Sequence, residues 1–202
     1  MNLAAERSPD RTTTLKDGRE VEIRPISVND LDSACAFFAE LPEEDKAYLR
    51  FDVNDRQVVE DRLKEIQEWG RLKRIVACEG DRIVGTGVLE LRDSEREFDL
   101  AEVRLIVGHE MQRKGLGMLI ARELYFLAAR EKIRELRARV LRPQEAALSI
   151  LRRLGFHEVE LLEDAAVDRY GKRQDLIVLS CPLEMLWNEM ELLVENFDIQ
   201  SR

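Results

Sequence analysis

The chain has 202 residues, 45% of them hydrophobic and 36% charged, with a formal net charge of −9. That balance belongs to a folded chain of one domain and excludes a disordered tract or a bundle of membrane spans. The charge argues against a nucleic-acid partner, whose phosphates require a positive face, and favours a basic acceptor.

In chain order, residues 1–18 read as a polar lead-in rich in Thr, Arg and Asp, expected to be mobile up to the Asp17-Gly18 turn. It lacks the apolar centre of a signal peptide, and no apolar run reaches spanning length, so a cytoplasmic protein without a membrane partner is expected. The main domain follows over 19–181. Residues 20–25 alternate as a strand, with Val21 and Ile23 on one face. Ser27 or Asn29 caps a helix that turns Leu31, Ala34, Phe37 and Phe38 inward. A second helix over 54–69 places Val58, Val59, Leu63, Ile66 and Trp69 at core spacing. Segments 74–78 and 83–91 make a hairpin about Gly80. A charged loop over 92–97 leads to a strand over 98–107, a glycine-bearing loop, a helix over 116–131 and a strand over 135–141. A short helix then ends at Gly155, and strands over 156–163 and 174–180 are joined by a charged loop carrying Tyr170. In the extension over 182–202, Leu183, Leu186, Trp187, Met190, Leu193, Val194 and Phe197 recur at threes and fours as an amphipathic helix too apolar to face water. It is expected to pack on its own domain or to pair in a homodimer. Cys35, Cys78 and Cys181 are odd in number and set in apolar surroundings, which fits buried thiols better than a disulfide frame. The two histidines are too few for a His-rich cluster, so no metal is expected.

The stretch richest in chemistry is Ala101-Glu-Val-Arg-Leu-Ile-Val107, which feeds the loop Gln112-Arg-Lys-Gly-Leu-Gly117 and then a helix. The unpaired N–H groups of a first helical turn, with the positive helix end, form a cradle for a pyrophosphate. Gly115 and Gly117 let the main chain approach a phosphate closely. A P-loop needs Lys-Ser or Lys-Thr after its last glycine, whereas Met118 and Leu119 follow here. The dinucleotide fingerprint needs a small residue where Ile120 stands.

The Gln-x-x-Gly-x-Gly spacing after an Ala-Glu-Val strand resembles the acyl-CoA site of the GNAT acyltransferase superfamily. A second signature supports the resemblance: Pro143-Gln-Glu-Ala-Ala-Leu-Ser-Ile-Leu-Arg-Arg-Leu-Gly-Phe156 keeps Ala147, Ile150, Arg153, Leu154, Gly155 and Phe156 of the family pattern. It puts Gln144 in the place of an Asn and Leu151 in the place of a Tyr that often serves as general acid. The resemblance implies an α+β fold with a mixed sheet, the GNAT acyl-CoA N-acyltransferase fold, followed here by the C-terminal amphipathic helix. It also implies acetyl-CoA as co-substrate. The backbone of Leu105, Ile106 and Val107 would pair with the pantetheine arm. The N–H groups from Gln112 through Arg113, Lys114, Gly115, Leu116 and Gly117 to Met118 would hold the pyrophosphate, with charge-assisted contacts from Arg113 and Lys114. Gln144 and Leu151 would border the cofactor.

Acyl transfer from a thioester to an amine needs a neutral amine, and an alkyl amine with a pKa of about 10 is protonated at neutral pH, so a base is useful. Glu102 is the leading catalytic candidate; it shares strand parity with Arg104 and Ile106 unless a bulge intervenes. The alternative is a salt bridge to Arg104 or Arg137. Leu151 donates no proton, but a thiol of pKa about 8.5 leaves as thiolate with little help. Tyr170 reads as a rim residue, and Tyr125 and Phe126 as core. The segment ending in Tyr48-Leu-Arg-Phe51, with Ala101-Glu102, resembles the bacterial Pat-type protein lysine acetyltransferases. The expected function is therefore acetyl transfer to an amine, a protein lysine or a small amine. The alternatives are a CoA-binding regulatory protein with little catalysis and an interaction protein that uses its tail stripe.

Overall fold

The structure, a computed structural model, describes residues 11–46, 49, 51–92, 99–168 and 170–186. Its elements are β1 (Arg11–Thr14), β2 (Glu20–Pro25), α1 (Leu31–Glu40), α2 (Glu43–Lys46), α3 (Arg56–Trp69), β3 (Leu72–Glu79), β4 (Arg82–Leu91), β5 (Leu100–Val107), α4 (Leu116–Arg130), β6 (Glu135–Leu141), α5 (Glu145–Arg153), β7 (His157–Val167) and β8 (Arg173–Pro182). The strands form one sheet in the order β1-β2-β3-β4-β5-β6-β8-β7. All neighbours are antiparallel except β5 and β6, which run parallel and are joined through α4.

Period-two alternation sorts the side chains onto two faces, each with its own core. One face packs against α4, whose Leu116, Ile120, Ala121 and Leu124 recur at helical spacing and meet Val21, Ile23, Ile75, Leu89, Ala101 and Val103 from the sheet. Close approach there depends on glycine. A Cβ placed on Gly87 would stand 2.6 Å from Ile120 Cγ2, and one on Gly85 would stand 2.9 Å from Ile120 Cδ1. The other face packs against α1 and α3, where Phe37, Phe38, Val59, Val76 and Ile83 share a second core. Val59 and Leu63 of the expected α3 stripe are buried; the side chains of Ile66 and Trp69 lie outside those described.

The polar lead-in differs from expectation. Residues 11–14 form β1, paired with β2 from Arg11 opposite Ile23 to Thr14 opposite Glu20. Backbone pairing and a tight turn hold this polar edge strand: Leu15 N–H donates to Arg19 O at 2.7 Å, Gly18 N–H donates to Leu15 O at 3.0 Å, and Leu15 is buried in the main core. Cys35, Cys78 and Cys181 are free thiols, and burial pushes the Cys78 thiol up from its ordinary value. Of the expected tail stripe, Leu183 and Leu186 pack in the main core; Trp187, Met190, Leu193, Val194 and Phe197 lie outside the described residues, as do Tyr48, Arg50 and most of the charged loop before β5. No helix among the described residues is long and apolar enough to cross a membrane.

Candidate active site

β5 changes neighbours partway along its length. Against β4 its register runs without a shift from Leu91 opposite Ala101 to Gly85 opposite Val107. Against β6 it pairs only at Leu100, Ala101 and Glu102, the last opposite Arg137. Beyond Glu102 the two strands part, so among the described residues the edge of 103–107 that faces β6 has no strand partner. Backbone N–H and C=O groups on such an edge seek an outside partner, as they do in strand addition. Leu105, Ile106 and Val107, expected to meet the pantetheine arm, lie on this edge.

Glu102 stands where the strands divide. The unbroken register keeps it on the α1 and α3 face with Arg104 and Ile106, so no bulge alters the parity. It is 2% exposed. Arg92 Nη2 donates to its Oε2 at 3.0 Å and Arg104 Nη1 to its Oε1 at 3.5 Å, while Arg139 Nε stands 3.6 Å from Oε2. Arg104 also pairs with Glu90 at 2.9 Å, and Arg137 bonds Glu135 at 3.2 Å. A buried carboxylate requires such partners, and here they fix its orientation at the mouth of the gap. Arg92 and Arg139 did not emerge as site residues from sequence. Arg139 shares parity with Arg137 on β6, but its meeting with Glu102 depends on a strand order that periodicity does not reveal.

The glycine loop runs from Gly108 through a 3-10 turn at His109–Met111 into α4. Gly115 sits at φ 93°, a left-handed value that favours glycine, and Arg113 adopts φ 60° beside it. Gly117 differs: it lies within α4, and a Cβ there would meet only Val107 Cγ2, at an ordinary 3.7 Å. The protein itself does not demand glycine at 117, and the space above it is open. Gln112 N–H donates to His109 O at 3.3 Å and Met118 N–H to Gly115 O at 3.1 Å, which engages the two outermost of the expected donors internally. Between them, the five N–H groups from Arg113 to Gly117 donate no backbone bond among the described residues. Five consecutive free donors at a helix start fit a pyrophosphate well. Lys114 pairs with Asp17 at 3.0 Å. The β1–β2 turn also brings Lys16 over the loop, its N–H donating to Lys114 O at 3.3 Å, a neighbour that sequence spacing gave no sign of.

The second signature is more structural than expected. Gln144 Oε1 accepts from Leu141 N–H at 3.0 Å, fixing the turn ahead of α5. Leu151 is buried in the main core with Leu148, Leu154 and Phe156. Tyr170 is 67% exposed, its N–H held by Asp168 at 2.9 Å. Tyr125 packs edge-on to Phe126 with ring centroids 5.4 Å apart.

The model of the acetyltransferase (GNAT) family matches residues 31–156, more than half of the chain. No curated protein matches it in sequence. Among solved structures, Mycobacterium smegmatis RimJ in complex with CoA-disulfide is 17% identical with a TM-score of 0.75, covering 93% of this chain and 95% of that one. The GNAT domain of S. lividans PAT is 19% identical with a TM-score of 0.71, covering 88% and 99%. The ribosomal-protein-S5-alanine acetyltransferase of Vibrio fischeri is 16% identical with a TM-score of 0.71, covering 86% and 97%. At these identities the structural likeness speaks for the fold, while the matched model carries the family. The chain belongs to the GNAT acetyltransferase family and is an acetyl-CoA-dependent N-acetyltransferase that delivers an acetyl group to an amine.

Proposed function

We propose that the transfer takes place at the point where β5 leaves β6, with Glu102 as the general base. The observation that carries this reading is the burial of Glu102 at the last paired position, beside an unpaired strand edge and one strand's length from five free N–H donors. When bound, acetyl-CoA supplies an acetyl thioester. The N–H groups of Arg113 to Gly117 hold its pyrophosphate, and the open edge of 103–107 pairs with the pantetheine arm. A backbone N–H on that edge polarises the carbonyl oxygen. Glu102 accepts the proton that the acceptor ammonium must lose before its nitrogen attacks. Leu151 lies in the core and donates nothing, so the sulfur departs as a thiolate, which its modest basicity permits. A protein lysine and a small amine both satisfy this chemistry.

A second reading has an observation behind it: the three guanidinium groups around Glu102 fit a carboxylate whose task is to anchor arginines. Glu102→Gln separates the two. As a base, Glu102 is worth about 10²-fold or more in turnover, and acetyl-CoA affinity stays unchanged in the variant. The deficit narrows as pH rises toward about 10, where the amine sheds its proton unaided. Wild-type turnover across the pH range would return Glu102 to the anchoring role.

A further inference from the structure

Around Glu102 the sheet carries more arginines than carboxylates, although the whole chain is acidic. Arg74 on β3 lies opposite Val88, which lies opposite Arg104 on β5, so two arginines flank one valine in a single row across the sheet. The next row holds Glu90 opposite Glu102. Strands about 4.8 Å apart and alternate residues about 6.8 Å apart along a strand put Arg74 and Glu102 about 12 Å apart at the backbone, and both side chains rise from the same face. Arg62 of α3 is satisfied by Glu65 at 2.9 Å and by the Phe51 ring, 5.7 Å below it. Around Glu102 stand Arg92, Arg104 and Arg139, with Arg137 opposite it and paired with Glu135, and Arg74 lies one row away, five arginines beside the carboxylates of Glu90, Glu102 and Glu135.

Two arginines, Arg74 and Arg122, bury an Nε with no hydrogen-bond partner among the described residues; Arg122 lies on α4, and the one on this side of the sheet is Arg74. It is mostly buried and borders the cavity beneath α1 and α3, whose lining includes Phe37, Phe38, Leu63 and Thr86. Burial, then the neighbouring charges of Arg104 and Arg62, pull the Arg74 guanidinium down to about 10, against a smaller opposing pull from the Glu65 carboxylate. A buried cation left beside like charges costs stability, and such a group is retained where an anion completes it. A guanidinium fork matches the two oxygens of a carboxylate or of a phosphonate.

We propose that the acceptor is a small amine bearing an anionic oxygen group, a carboxylate or phosphonate, which docks on Arg74 and Arg104 while its amino group faces Glu102. This deepens, and rests on, the acetyl-transfer reading of the same site. It places an amino-acid-like acceptor ahead of a polycation, although the net charge of the chain favours a basic one.

Calorimetric titration of the full chain saturated with CoA tests the proposal through binding. The ligands are apolar L-amino acids, their carboxamides, the matching 1-aminoalkylphosphonates and spermidine. The amino acids or the phosphonates are expected to bind about tenfold or more tightly than the amides, and the comparison between those two arms identifies the anion. In Arg74→Met the preference should fall to about twofold with CoA affinity unchanged, and the melting temperature should hold or rise by about 2–4 °C, since an uncompensated buried charge has been removed. Should Arg74→Met fail to fold, Arg74→Lys keeps the charge without the fork, and a partial loss of preference is expected. Equal or undetectable binding across the matched pairs, tighter binding of spermidine, or a tenfold preference that survives Arg74→Met would overturn it. Thiol release with the same panel keeps the two claims apart. An anion preference in binding with no release from any acceptor sinks the transfer reading alone, and release with amides or spermidine only sinks the anion site alone.

Discussion

On the α4 face of the sheet, Ile120 and Leu124 press against two glycines of β4, and the core there is continuous. On the α1 and α3 face, the same three central strands carry Arg74, Arg104, Glu90 and Glu102 beside an apolar cluster. The first face spends its side chains on packing, and that packing holds the start of α4 and its free N–H groups in place. The second face keeps charges that a purely structural face would replace with apolar groups of the same size. Apolar packing and buried charge are thus divided between the faces of one sheet.

Changes on the α4 face should act mainly on stability. Ile120→Ala removes a fully buried side chain that touches both glycine positions and is expected to cost about 2–5 kcal/mol by chemical denaturation. A cost under about 1 kcal/mol would show that this face is loosely packed. Gly87→Ala inserts a methyl 2.6 Å from Ile120 Cγ2 and is expected to cost about 1–3 kcal/mol, with CoA affinity falling only as far as α4 is displaced. The comparison sharpens at Gly117, where a methyl meets only Val107 at 3.7 Å. Gly117→Ala should leave thermal stability equal or higher, because alanine is the better helix former, yet weaken acetyl-CoA binding about tenfold in calorimetry. Unchanged affinity there would remove Gly117 from the cofactor cradle.

The smallest expected effect lies far from the chemistry. Asp30 accepts from Arg24 at 2.8 and 2.7 Å and from Ser27 N–H at 2.7 Å. The Arg24 guanidinium holds its carboxyl below the ordinary value of 3.8, against the opposing push of burial. A depressed carboxylate contributes stability above its unfolded value and loses it as pH falls through the folded one. The Asp30→Asn variant should therefore be less stable than the wild type by about 1 kcal/mol near neutrality, and the gap should close below about pH 4. A gap independent of pH would assign the effect to shape rather than to charge.

Much of this layout is legible in sequence because its causes are local. The stretch from Glu135 to Leu141 forms β6 with the expected bounds, and α4 begins at Leu116 because the glycine loop ends there. The left-handed turn at Gly115 follows from residue type, whereas Leu151, expected to border the cofactor, packs in the main core. β1 escaped notice because its Thr-rich residues bury nothing and are held by backbone pairing to β2, which has no periodic signature. Arg104 is legible as a partner of Glu102 because the two share strand parity, but Arg92 and Arg139 escaped for a different reason: they reach Glu102 from the end of β4 and from β6, and those adjacencies depend on strand order.

The central claim, that acetyl-CoA occupies the loop ahead of α4 and the free edge of β5, is tested most directly by amide hydrogen exchange with and without acetyl-CoA. The account predicts new protection concentrated at residues 113–117 and along 103–107, with little change in the paired stretch from Leu100 to Glu102 or in β2 and β3. Protection that leaves both segments untouched, in a chain shown by calorimetry to bind acetyl-CoA, would contradict it.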